Sequence, residues 1–117
     1  LEAERVSIST EETFERDVVD RTVLHAELRR QADSVASHLQ RSGLSARTVT
    51  AKLRYADFSI RSRSTTLPAP IDEAPRIAEL ACRLLDRGLR ERPGALRLVG
   101  VGVSGLTGFR QLTIDEG

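Results

Sequence analysis

The chain has 117 residues and a mass of 12.9 kDa, which is the size of one ordinary domain. Hydrophobic residues make up 39% and charged residues 30% without low-complexity runs, so the composition favours a folded domain over a disordered one. Because the formal net charge is only +1, the charge of the whole chain identifies no partner. Aromatic residues make up 3%, so aliphatic side chains must form most of the core and few rings are available to stack on bases.

The cysteine content and the hydropathy pattern favour a cytoplasmic protein. Cys82 is the only cysteine, so no disulfide can form within the chain, and we interpret it as a small packed residue. No apolar stretch approaches the roughly 20 residues that a membrane helix needs, and the N-terminus lacks a signal-peptide pattern. We therefore expect no membrane contact. The start at Leu1 rather than Met suggests a piece of a longer chain, with residues 1–4 as the remnant of a linker.

The first elements predicted along the chain are a strand and a helix. Residues 6–9 alternate between apolar side chains and Ser, which is typical of a strand with one buried face. Apolar residues then recur with a helical period over residues 24–39, with Asp20 suited to the N-cap and Gly43 to the position after the C-cap. These signals predict a helix over residues 20–42.

The middle of the chain predicts an antiparallel hairpin. Apolar and polar side chains alternate over residues 48–55, and after a two-residue connection the alternation continues over residues 58–66. In this register Phe58 and Ile60 take the buried face of the second strand.

A second helix and a last strand complete the domain. Ile77 to Leu85 follow a helical period, with Asp72 as the N-cap and an end before Pro93, and residues 99–103 alternate Val with Gly. The resulting order is strand, helix, strand, strand, helix, strand. It predicts an α+β fold with a four-stranded antiparallel sheet and two helices on one face, the split arrangement of ferredoxin-like domains. The other face of the sheet is left uncovered.

The uncovered face is predicted to be basic and rich in hydroxyl groups. Residues 46–66 carry five basic and one acidic side chain, a local net charge of +4, whereas residues 1–20 carry two basic and seven acidic side chains, a net charge of −5. Guanidinium and hydroxyl groups bind phosphate oxygens without reading bases. The alternative is a solvated face whose charges only prevent association. By strand alternation the face receives Lys52, Arg54, Arg61 and Arg63, with Ser62 and Ser64 near the end of the strand.

Three segments of the chain carry a family resemblance. They are Ser-Ile-Ser and Glu-Thr-Phe over residues 7–14, Arg-Ser-Arg-Ser-Thr-Thr-Leu-Pro over 61–68, and Arg-Leu-Val-Gly-Val-Gly-Val-Ser-Gly-Leu over 97–106. Together they resemble the little finger domain of Y-family DNA polymerases of the DNA polymerase IV type, over residues 5–114. The resemblance implies one DNA-binding domain over residues 1–117 that performs no chemistry. The parent would be a DNA polymerase whose Mg²⁺ belongs to a palm domain outside this chain.

The resemblance also implies which residues touch DNA. It implies a sequence-independent grip on primer-template phosphates by an accessory domain of a translesion polymerase, with no catalytic residue, metal or cofactor of its own. Lys52 and Arg54 are added to this set by strand alternation alone. Leu98 and Gly102 stand where relatives often have basic residues, which implies somewhat weaker binding. The implied phosphate-binding residues are Ser7, Ser9, Arg61, Ser62, Arg63, Ser64, Thr66 and Arg97.

Residues 107–117 are expected to form a C-terminal tail with a second partner. Gln111, Leu112 and Ile114 resemble a sliding-clamp-binding peptide, although Asp115 follows where an aromatic or aliphatic residue is usual. An ordinary polar tail is the alternative. The competing function is a ferredoxin-like protein-interaction module that acts through this peptide or a helix face. An RNA-recognition module is disfavoured, because its open face would display stacking aromatic rings. We expect a monomer.

Overall fold

Six elements of secondary structure occupy residues 7–108, the part of the chain that the computed structural model describes. Their order is the predicted one, which confirms the α+β class with a four-stranded antiparallel sheet and two helices. The strands lie in the order β1-β4-β2-β3, which the sequence left open. The elements are β1 Ser7–Val18, α1 Arg21–Arg41, β2 Leu44–Tyr55, β3 Ile60–Ile71, α2 Ala74–Glu91 and β4 Leu96–Gly108.

Both helices pack on one face of the sheet and bury the predicted apolar stripes. α1 contacts β1 and β4, whereas α2 contacts β2 and β3, and the two helices contact each other. Leu28 of α1, Leu85 of α2 and Leu53 of β2 are fully buried. Burying one such side chain stabilises the fold by about 1.5–3 kcal/mol, so aliphatic residues suffice for this core. Neither helix in residues 7–108 is long and apolar enough to cross a lipid bilayer.

One buried polar side chain ties α1 to the sheet. Gln31 is fully buried, and its Nε2 donates to the carbonyl of Val99 at 3.1 Å. Its Oε1 accepts a hydrogen bond from the N–H of Val101 at 3.0 Å. Buried polar groups are tolerated only when they are hydrogen-bonded, and these bonds satisfy both ends of the amide.

The helix ends follow the sequence signals for α1 and depart from them for α2. Asp20 caps α1 by accepting a hydrogen bond from the backbone N–H two residues on, at 2.9 Å. Gly43 adopts a φ of +68° just past the end of α1, as expected of a residue after the C-cap. The N-cap of α2 is Glu73 and not Asp72, so that prediction was wrong by one residue. Pro75 lies in the first turn of α2, where its fixed φ is favourable.

The strands are longer than the sequence signals indicated. β3 continues through Pro68 and Pro70, although these prolines predicted its end after Thr66. β3 is an edge strand, and an edge tolerates residues that lack a backbone donor. The guanidinium of Arg47 donates to the carbonyl of Pro68 at 3.2 Å and links the two strands there. β4 runs to Gly108, so two residues of the expected tail belong to the sheet.

The turn between β2 and β3 is one residue longer than predicted. The Tyr55 N–H donates to the carbonyl of Ser59 at 2.9 Å, and the Phe58 N–H donates to the carbonyl of Tyr55 at 2.8 Å. Phe58 has a φ of +71°, which completes a three-residue turn whose last residue is left-handed. Gly or Asn usually occupies such a position, so a phenylalanine gives no signal for it in the sequence.

The longer turn reverses the predicted faces of β3. Shifting a strand by one residue moves every side chain to the opposite face. Phe58 and Ile60, which were predicted to be buried, have relative exposures of 62% and 50%. Arg61 is paired with buried Leu53 and therefore lies on the helix side of the sheet. The predicted face assignment of β3 was wrong for this reason.

Side-chain hydrogen bonds hold the turn in this form. The carboxylate of Asp57 accepts hydrogen bonds from the N–H of Ser59 at 2.9 Å and from its hydroxyl at 2.6 Å. Arg92 donates to the same carboxylate at 3.0 Å and stacks over the Tyr55 ring, 4.0 Å from its centroid. The hydrogen bonds from Ser59, together with that from Arg92, lower the pKa of Asp57 from 3.8 to about 2.

The variant Asp57→Asn is expected to lower the melting temperature at neutral pH and to flatten its dependence on acid. Because the pKa is lower in the folded state, the carboxylate stabilises the fold fully above about pH 4 and loses this effect as the pH falls through about 2. The gap in melting temperature between the two proteins should therefore close towards about pH 2. Thermal unfolding followed by circular dichroism measures it. A gap of constant size would contradict the role of the Asp57 charge.

Candidate nucleic-acid interface

Four rows of cross-strand partners cover the sheet face opposite the helices, which we call the open face. Paired residues of an antiparallel sheet point to the same side. Ile8 and its partner Val103 are buried against the helices, so the adjacent pair of Ser7 and Ser104 faces away. From β1 to β3, the first row is Ser7, Ser104, Thr48 and Thr66; the second is Ser9, Gly102, Thr50 and Ser64; the third is Glu11, Gly100, Lys52 and Ser62; the fourth is Thr13, Leu98, Arg54 and Ile60.

Hydroxyl groups dominate the first two rows. Seven of their eight residues are Ser or Thr, and the eighth is Gly102. The hydroxyls of Thr48 and Thr66 are 2.9 Å apart, and those of Thr50 and Ser64 are 2.6 Å apart. A hydroxyl in such a pair keeps further hydrogen-bonding capacity. This end of the open face can therefore donate hydrogen bonds to an anionic ligand without carrying charge.

Charge is confined to the third and fourth rows. Lys52 and Arg54 are positive and Glu11 is negative, so the four rows have a formal net charge of +1. The Nζ of Lys52 lies 3.0 Å from Oε1 of Glu11. The Nε of Arg54 is the one buried side-chain nitrogen or oxygen within residues 7–108 that lacks a hydrogen-bond partner. The open face is therefore mildly basic.

Two glycines form the floor of a shallow groove in the open face. A Cβ atom at Gly100 would lie 2.9 Å from the carbonyl oxygen of Thr10, and one at Gly102 would lie 3.3 Å from the Cβ of Ser9. Only glycine fits at residue 100 without moving backbone, and both positions leave β4 bare. The groove has a volume of about 520 Å³, and its walls include Ser7, Glu11, Thr50 and Ser62. The predicted place of both glycines on the open face is confirmed.

Most of the sequence-predicted site residues come together on the open face, and two do not. Arg61 and Arg63 lie on the helix side, where the Nε of Arg63 donates to Glu91 at 2.6 Å and the Nη1 of Arg61 lies 3.5 Å from the same carboxylate. The hydrogen bond from Arg63 lowers the pKa of Glu91. The predicted place of these two arginines on the open face was wrong. The residues that do lie there are Ser7, Ser9, Lys52, Arg54, Ser62, Ser64 and Thr66.

Arg97 occupies the margin of the open face. It lies where the register between β2 and β4 shifts, between Leu96 and Leu98. Its Nε donates to the carboxylate of Asp17 at 2.8 Å, and its guanidinium carbon lies 5.1 Å from the centroid of the Phe58 ring. An aromatic ring and a carboxylate therefore both hold this cation.

Some committed predictions fall beyond what the structure can place. Gln111, Leu112 and Ile114 lie outside the described residues. Within residues 7–108, no three His, Cys, Asp or Glu side chains are grouped closely enough to hold a metal ion.

Sequence reasoning missed two residues that line the groove. Ser104 pairs with Ser7 in the first row, and Glu11 opens the third row. β1 was predicted only for residues near 6–9, whereas it extends to Val18. Continuing the alternation of Ser7 and Ser9 by two residues would have placed Glu11 on the open face. The signal was present, but the bound of the strand was too short.

The fold and the open face define a two-layer α+β domain with one uncovered, hydroxyl-rich sheet face. The family model described as the impB/mucB/samB family C-terminal domain matches residues 5–114. The chain belongs to this family. It is 44% identical over 110 residues to the DNA polymerase IV of Streptomyces coelicolor, covering 94% of this chain and 22% of that protein. It is also 44% identical over 112 residues to the DNA polymerase IV of Methanoculleus marisnigri, covering 94% and 31%. The chain thus spans less than a third of either relative.

Solved structures share the fold at low sequence identity. One is a polymerase in an insertion ternary complex of Dbh DNA polymerase, with a TM-score of 0.76 and 17% identity over 86% of this chain and 28% of that one. Another belongs to a complex of the beta-clamp processivity factor and the little finger domain of PolIV, with a TM-score of 0.68 and 20% identity over 84% and 86%. With the family match, these similarities confirm the expected relationship to the little finger domain of Y-family polymerases of the DNA polymerase IV type.

Proposed function

We propose that the chain is an accessory domain of a translesion DNA polymerase that holds primer-template DNA by its phosphates. The observation that carries the proposal is the groove of the open face, floored by glycine and flanked by hydroxyl groups, Lys52 and Arg54. Hydroxyls and cations donate to phosphate oxygens and carry no information about bases. Side chains on one face of a strand repeat at about 6.8 Å, which is close to the spacing of successive phosphates along a DNA strand.

The composition of the open face favours phosphate contacts over base stacking. None of the residues in its four rows is aromatic. Proteins that bind unpaired nucleic acid stack bases on aromatic side chains, so such a mode has no platform in these rows. The proposal is therefore a grip that is independent of sequence and depends on salt.

The relatives support a role in DNA synthesis. Both relatives described above are DNA polymerases, and a chain with this fold takes part in a ternary complex of Dbh DNA polymerase. We propose that the parent of this chain is likewise a DNA-directed DNA polymerase. Nucleotidyl transfer and its Mg²⁺ would then belong to another domain, and this domain would bind no cofactor and catalyse no step.

The structure narrows the proposed contact set. Arg61 and Arg63 leave it, because Glu91 engages both guanidinium groups on the helix side of the sheet. Three residues enter it from the first two rows, namely Thr48, Thr50 and Ser104. Arg97 remains at the margin. The full proposed set is Ser7, Ser9, Thr48, Thr50, Lys52, Arg54, Ser62, Ser64, Thr66, Arg97 and Ser104.

The variant Lys52→Gln is expected to weaken DNA binding about threefold, uniformly across DNA sequences, because it removes one phosphate contact. The matched control is Arg61→Gln, which removes the same charge from the helix side and should leave the affinity within about twofold. Fluorescence anisotropy with a labelled primer-template measures both. If Arg61→Gln weakened binding as much as Lys52→Gln did, the open face would not be the contact surface.

The salt dependence gives a second readout of the same measurement. Three cations remain in the proposed set, so log affinity should fall with log salt at a slope near −2.7. Lys52→Gln should reduce the magnitude of this slope by about 0.9. An affinity that did not change with salt would contradict a phosphate grip.

A sliding clamp is a second candidate partner. One solved structure with this fold is a complex of the beta-clamp processivity factor and the little finger domain of PolIV, and this chain covers 86% of that domain. The segment Gln111-Leu112-Thr113-Ile114 resembles a clamp-binding peptide. We propose that the C-terminal residues bind a bacterial sliding clamp independently of the open face.

Replacing Gln111, Leu112 and Ile114 together with Ala is expected to lower clamp binding at least about tenfold, because hot-spot side chains carry most of the energy of such an interface. Surface plasmon resonance with an immobilised bacterial clamp measures it. DNA binding by the same variant should be unchanged and serves as the control for folding. Undiminished clamp binding would rule out the peptide as the contact.

A further inference from the structure

The ion pair between Glu11 and Lys52 lies across the floor of the groove. The two residues are on β1 and β2, with β4 between them, so their backbones are two strand spacings or about 9.6 Å apart. Both pair with Gly100, whose missing side chain leaves the space above β4 open. The two long side chains meet over this glycine with a separation of 3.0 Å between Nζ and Oε1. A Cβ at residue 100 would lie 3.2 Å from the Cβ of Glu11.

The pair occupies the place where the groove would receive a phosphate. Glu11, Lys52 and Gly100 all line the groove. Lys52 is the only lysine of the chain, and with Arg54 it supplies the positive charge of the four rows. The carboxylate of Glu11 is therefore an anion that already holds the ammonium group that a DNA phosphate would need.

We propose that Glu11 is an internal competitor of DNA, which withholds Lys52 from phosphate and weakens the grip of the open face. This inference rests on the proposed function. A phosphate that binds Lys52 must first displace the carboxylate, which stays attached to the groove wall and repels the incoming anion. Glu11 and Lys52 have side-chain exposures of 52% and 35%, so the pair is partly solvated and can open. Exposed pairs of this kind are weak.

The variant Glu11→Gln is expected to raise DNA affinity about threefold to tenfold and to steepen the salt slope by up to about 0.9, because Lys52 is released to phosphate. Anisotropy titrations with duplex DNA at several salt concentrations measure both quantities. The single lysine also gives one ammonium signal in the NMR spectrum, and DNA should shift that signal as the pair opens.

Glu12→Gln is the matched control for net charge. Glu12 is the next residue of β1, on the helix side of the sheet, where its Oε1 lies 3.5 Å from the guanidinium of Arg30. Neutralising it changes the charge of the chain by the same amount without touching the groove. Its DNA affinity should stay within about twofold of the unaltered chain.

A double-mutant cycle separates contact competition from long-range charge. If Glu11 acts by holding Lys52, the gain from Glu11→Gln should be at least about twofold smaller in the Lys52→Gln background, because two residues in contact are coupled. Equal gains in the two backgrounds would overturn the inference, as would an equal gain from Glu12→Gln or no gain from Glu11→Gln. In those cases DNA binding by the unaltered chain would still uphold the proposed function. If neither the unaltered chain nor any variant bound DNA, both proposals would fail.

Discussion

The register of the β2–β3 hairpin determines which side chains lie on the open face. A three-residue turn, with Phe58 in the left-handed region, pairs Lys52 with Ser62 and Thr50 with Ser64. Hydrogen bonds from Ser59 and Arg92 to Asp57 hold that turn. A two-residue turn would have brought arginines to the open face and hydroxyls to the helix side, because a shift of one residue reverses a strand. The chemistry of the site is therefore set by a loop at one end of the sheet.

The consequence is a surface that combines weak, neutral donors with few charges. Hydroxyl groups fill two rows, and Gly100 and Gly102 leave β4 bare between them. Most arginines near the sheet are engaged by carboxylates, as with Arg63 and Glu91 or Arg97 and Asp17. A surface of this kind suits reversible contact with a repetitive polyanion. It provides little positive charge that would hold one tightly.

The sequence predicted the elements and the core well, because periodicity reports burial directly. The stripes of both helices and the buried side of β2 are buried as expected. It failed at β3, since the left-handed turn residue is a phenylalanine and not a glycine. It also missed Glu11, because its alternation lies beyond the expected end of β1. Lateral strand order and the contact over Gly100 are tertiary features, and no local pattern encodes them.

The most direct test of a DNA-binding open face is to map the contact surface residue by residue. The amide NMR spectrum of the isotopically labelled chain would be followed while duplex DNA is added. Phosphate contacts from the four rows predict that the largest shifts fall on alternate residues of β1, β2 and β3 and on Gly100 and Gly102. Shifts concentrated on the outer surfaces of α1 and α2, with the open face unchanged, would contradict the DNA-binding role of this face.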